Sequence, residues 1–149
     1  MCGGKKNRRR KILDRIHATV RAEIMIGERI LHHETEQERL LLSGEFPSLR
    51  QIQVRIKTLT TRLTYVQKVR KTLMNILKES FPETEIFDGW ESETEILLEN
   101  HKHLLQKISY QTKRNTDLRE MMRKKPAFGY PEGRTNKTLI ITIEKPEEI

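Results

Sequence analysis

Alternating steps of three and four from Leu49 reach Ile52, Ile56, Leu59, Leu63, Val66, Arg70, Leu73 and Leu77, and eight of these nine positions are apolar. Apolar residues on a period of about 3.5 fall along one narrow stripe of an α-helix, and that stripe is stable only when another helix covers it. The middle of the chain is therefore a helix that needs partners. Val54, Val69 and Ile76 add a weaker second stripe, which predicts contact with more than one neighbour.

The flanking segments supply those neighbours. Beyond Pro82 and Asp88-Gly89, a third segment carries Trp90, Thr94, Leu97, His101, Leu104, Ile108, Gln111, Asn115, Leu118 and Met122 at similar spacing. Its polar seam positions lower stability and fix register. The first segment is dense in apolar residues from Ile12 to Leu31, then turns to HHETEQER before Leu40-Leu41-Leu42. Gly44 suits the left-handed position after a helix, and Ser48 with Gln51 reads as a capping box opening the second helix. Short connections predict an all-α fold: an elongated three-helix antiparallel coiled-coil bundle with a basic N-terminal tail and an extended C-terminal segment. The expected divisions are a tail over 1–11, the coiled-coil region over 12–125, and a turn-rich connector with an extended segment over 126–149. The expected helical interface comprises Leu49, Ile52, Ile56, Leu59, Leu63, Val66, Leu73, Leu77, Trp90, Leu97, Leu104, Ile108 and Leu118.

Composition agrees with long helices around narrow stripes rather than a thick core, because only 35% of residues are hydrophobic while 34% are charged. Cys2 is the only cysteine, which excludes an intrachain disulfide and a cysteine-rich zinc site. No apolar run has the length of a membrane span, and no apolar stretch follows the basic start as in a secretory signal. An intracellular protein, cytoplasmic or cytoskeletal with a nuclear alternative, is the resulting expectation.

Charge is unevenly laid out. Six of the seven residues from Lys5 to Lys11 are basic, namely Lys5, Lys6, Arg8, Arg9, Arg10 and Lys11, and they form the candidate polyanion-binding run in a chain of net charge +8. The second segment holds Arg50, Arg55, Lys57, Arg62, Lys68, Arg70, Lys71 and Lys78 without one acid through Lys78. Acids gather on both sides of it, at Glu34, Glu36, Glu38 and Glu45 and again between Glu83 and Glu99. Antiparallel packing predicts that these acids mainly complement the basic second helix inside the bundle. The N-terminal run has no such complement nearby. It carries no zinc-finger spacing and no aromatic RNA-binding consensus, so a plain solvated tail is the first reading, and binding to an acidic polymer, a microtubule surface or nucleic acid, is the alternative.

No glycine-rich phosphate loop, His-Glu-x-x-His or Glu-x-x-His motif occurs, so no catalytic residue, metal site or cofactor is expected. His101 on the third seam reads as a register residue. After Pro126 the chain changes character, and Thr138 to Glu144 is β-branched and apolar. Leu139, Ile140, Ile141 and Ile143 are the candidates for strand addition to a partner's sheet, or for a strap along the bundle. Ile140-Ile141-Thr142-Ile143 followed by Glu144, Glu147 and Glu148 resembles a small-ubiquitin-modifier interaction motif. The functional expectation is a non-enzymatic helical scaffold or adaptor subunit of a larger assembly, in a cytoskeletal or ciliary setting. It would bind protein partners through coiled-coil faces, with self-association left open. The alternative is a nucleic-acid-associated helical protein acting through the basic N-terminus and basic second helix.

Overall fold

A computed structural model describes residues 2–83 and 92–124. Expectations that fall on Trp90 and on 126–149, including Leu139, Ile140, Ile141 and Ile143, lie outside these residues. Three helices follow one another: α1 (Cys2–Ser43), α2 (Leu49–Ser80) and α3 (Ser92–Arg123), with a short 3-10 turn at Phe46–Ser48 before α2. Among the described residues there is no strand.

The stop signal after α1 is the glycine. Gly44 takes φ 74°, and the amides of Gly44 and Glu45 bond back to the carbonyls of Leu41 and Leu40. This pair of bonds satisfies two carbonyls left open at the helix end, and the left-handed backbone costs glycine nothing for want of a Cβ. The expected capping box does not form. Ser48 already has helical backbone angles and its side chain caps nothing, because the 3-10 turn leads directly into α2 and Phe46 is buried beneath it. At the far end the Phe81 amide bonds to Leu77 before Pro82 ends the helix.

Helix α1 begins at Cys2, so the basic run is the first part of a helix of 42 residues. It packs against both other helices, whereas the α-carbons of α2 and α3 nowhere come within 8 Å of each other. Residue pairings set the directions. Leu13, Ile16 and Val20 meet Leu73, Met74, Leu77 and Phe81, while Leu40 and Leu41 meet Leu49, Ile52 and Ile56, so numbering in α2 runs opposite to that in α1. His17 bonds to Thr94 and Glu34 to Asn115, so numbering in α3 rises with that in α1.

The face that α1 buries is a seam in its own right. Leu13, Ile16, Val20, Glu23, Gly27, Ile30, Glu34, Gln37 and Leu41 are all buried, and each lies three or four residues from the last in strict alternation. Gly27 sits close against α3: a Cβ there would stand 2.8 Å from Leu104 Cδ2. In α2 the expected seam is buried at Leu49, Ile52, Ile56, Leu59, Leu63, Leu73 and Leu77. Val66 is the departure, being only half-buried while Gln67 takes the inward position. A straight α-helix drifts about 20° per heptad against a strict 3.5-residue repeat, so after two heptads Val66 has turned toward the edge of the stripe and Gln67 toward its centre, while Arg70, Leu73 and Leu77 remain buried.

Candidate interaction face and the buried polar seam

The structure joins the two basic segments. Lys5 Nζ sits 5.8 Å from the centre of the Phe81 ring, which puts the N-terminal turns of α1 beside the C-terminal end of α2. Lys5, Lys6, Arg8, Arg10 and Lys11 are exposed there, Arg9 is half-buried, and Lys78 is exposed near that same end. Arg10 also pairs with Asp14 one turn later.

The first acidic group expected to neutralise α2 is engaged elsewhere; of the second, Glu85, Asp88 and Glu91 lie outside the described residues. Glu36 and Glu45 both pair with Arg39, and Glu38 pairs with Arg114 of α3. The Arg39 hydrogen bond holds the Glu36 carboxyl below its ordinary range, with the guanidinium charge adding to it. Glu34 is turned inward and accepts a bond of 2.6 Å from the Asn115 amide. The reason lies in the geometry: α1 turns its acidic stretch toward α3 and toward its own Arg39, so α2 meets α1 through leucines and isoleucines. Arg50, Lys57, Arg62, Lys68 and Lys78 are exposed and make no ion pair among the described residues. Arg55 faces a histidine instead. Burial first, then the positive neighbours His32, Arg55 and Arg29, depress the His33 pKa.

Arg70 is the exception on α2, for it points into the core. Its Nε–H is shared between the two carboxylate oxygens of Glu23 at 3.1 and 2.9 Å. His101 Nε2 stands 3.2 Å from the same carboxylate without forming a hydrogen bond. One charged or polar side chain from each helix thus meets at one level, all three closed to solvent. A second polar level joins α1 to α3: the Asn115 amide also donates to the Glu34 backbone carbonyl at 2.7 Å, Gln111 donates to Asn115, and Arg119 reaches Gln37. His17 and Thr94 add a third contact at 2.7 Å. The bonds Arg70–Glu23, Asn115–Glu34 and His17–Thr94 can form together in only one axial alignment of the helices, so they set register.

No family model, curated protein or solved structure matches this chain.

On α3, Ile108 is buried as expected, while Leu97, Leu104 and Leu118 are half-buried. Thr94, His101, Leu105 and Asn115 hold the deeper positions. Sequence reasoning missed the α1 seam with Glu23 and Gln37, and it missed Gln67. A strict count of threes and fours from Leu13 would have found the first. Among the described residues no three His, Cys, Asp or Glu side chains group as a metal site. No described helix is long and apolar enough to cross a membrane.

Proposed function

We propose that this chain is a non-enzymatic helical adaptor, an elongated antiparallel three-helix coiled-coil bundle that docks onto an acidic protein surface within a larger intracellular assembly. The observation that supports this reading is the outward face of α2, whose exposed Arg50, Lys57, Arg62, Lys68 and Lys78 lack acidic partners among the described residues. The exposed bases at the start of α1 add positive charge beside the C-terminal end of α2. Exposed charge of one sign attracts an acidic partner and speeds its capture, and salt weakens both effects. A cytoskeletal setting fits because a microtubule presents an acidic protein surface. Nucleic acid is the second reading, and Tyr65 favours it: an exposed ring between Arg62 and Lys68 is a stacking platform beside phosphate-binding charges.

Co-sedimentation of the full chain with microtubules, and titration with a DNA duplex, test the proposal across a salt series. Wild type is compared with Arg62→Glu/Lys68→Glu and with a variant whose bases at 5, 6, 8, 10 and 11 are glutamine. Salt-sensitive microtubule binding that both variants weaken is the expected result. Tighter binding to the duplex, with a slope of log affinity against log salt near −5 for about six neutralised phosphates, would favour the second reading. Binding indifferent to both variants would retire the basic strip.

A further inference from the structure

The basic strip on α2 is not purely charged. Val54, Tyr65 and Ile76 are 57%, 68% and 41% exposed. They are spaced by 11 residues, a distance of three helical turns that returns to nearly the same face. Between them on that face stand Thr58, Thr61 and Thr72. Each of these hydroxyls donates to the carbonyl four residues earlier, on Val54, Lys57 and Lys68 respectively. A hydroxyl that donates to its own helix has no donor left for a partner, so these threonines offer a methyl group and an acceptor only. The face is therefore a narrow apolar stripe about 33 Å long, at 1.5 Å per residue from Val54 to Ile76. Arg50, Lys57 and Lys68 line one edge and Arg62 the other.

We infer that this stripe is the docking site for an acidic amphipathic helix of a partner protein. Three features select that occupant. The backbone of α2 spends its amides and carbonyls within the helix, so an extended peptide laid on it would gain no main-chain bonds, whereas a helix brings its own already made. A partner helix running alongside would meet apolar groups at every third turn, matching its own ridges. Unneutralised bases on both edges require glutamates or aspartates flanking the partner's apolar stripe. The same charges disfavour a second copy docking α2 on α2, since that sets base against base. The inference rests on the acidic-surface reading and names the partner's form.

The test uses the full chain and two probes: a 22-residue acidic helical peptide with leucines along one face, and polyglutamate as a charge-only ligand. Val54→Ser/Tyr65→Ser/Ile76→Ser removes apolar surface that is exposed in the free protein. Arg62→Glu/Lys68→Glu removes charge. Circular dichroism of each variant checks that the helices persist. The serine variant is expected to lose tenfold or more in affinity for the peptide while binding polyglutamate as wild type does, and the charge variant is expected to lose both. Equal peptide binding by the serine variant and wild type would overturn the inference and leave the acidic-surface reading standing. Binding of neither probe by wild type would overturn both. Tighter binding to a DNA duplex or to phosphatidylserine vesicles than to the peptide would also overturn the inference. So would self-association of the free chain that the serine variant abolishes.

Discussion

Arg70 and Glu23 meet 2.9 Å apart with 2% and 0% of their side chains exposed, and His101 Nε2 stands 3.2 Å from the same carboxylate. Removing one member of a buried pair strands the other charge, and the usual loss is about 3–5 kcal/mol. Arg70→Met is therefore expected to lower the melting midpoint sharply. The triple change Glu23→Met/Arg70→Leu/His101→Leu, which leaves no charge stranded, should regain most of that loss. Thermal denaturation of the single and triple variants measures it. A single variant as stable as wild type would show that the pair does not hold the helices.

Glu34 gives the fold a pH dependence. Burial pushes its carboxyl above the ordinary 4.5, and the Asn115 amide and then Arg119 offset part of that rise. A folded-state pKa above the unfolded value means that the folded protein holds the proton longer. The contribution of Glu34 to stability is thus fully present below pH 4.5 and is lost as pH rises through the folded-state value. Glu34→Gln keeps an oxygen for the Asn115 amide and carries no charge. It should raise the melting midpoint at neutral pH and flatten the decline that begins near 4.5. Midpoints of the two proteins across that range decide the matter, and parallel curves would contradict it.

Gly27 marks the close approach of α1 and α3. An alanine Cβ there would crowd Leu104 Cδ2, a side-chain end that can shift, and touch Leu104 Cγ and Ile108 Cδ1 at ordinary distances, while helix propensity gains about 0.5–1 kcal/mol from the change, so Gly27→Ala should stay near wild type. Gly27→Leu has no room between Leu104 and Ile108 and should cost about 1–3 kcal/mol or more. Urea denaturation separates them, and equal stability of the two variants would place the helices farther apart than they are here.

The slip of the α2 seam predicts a contrast between neighbours in sequence. Leu63 is 1% exposed and Val66 only half-buried, so Leu63→Asp places a charge among Ile30, Leu59 and Ile108 without a partner. Cooperative melting should be lost in Leu63→Asp and largely kept in Val66→Asp. Comparable damage from both would restore the strict heptad.

The three helices, the stop at Gly44 and most of the α2 seam were legible in the sequence because each depends on neighbours a few residues away: spacing of apolar side chains, or one residue without a Cβ. Leu49 through Leu63 needed nothing else to declare a buried face. The α1 seam was hidden because Glu23, Gly27, Glu34 and Gln37 occupy positions where apolar residues would announce burial. Only the assembled helices explain them: Glu23 is buried because Arg70, 47 residues away, and His101 on the third helix arrive at the same level, and Glu34 because Asn115 arrives from 81 residues away. The destination of the acids was likewise a tertiary decision. Sequence proximity set Glu34 to Glu45 beside the bases of α2. The rotation of α1 turned them to Arg39, Arg114 and Asn115, and among the described residues left Arg50, Lys57, Arg62, Lys68 and Lys78 without an acidic partner. Local periodicity sets which residues share a helix face, but the choice of face, and of partner for each charge, belongs to packing among all three helices.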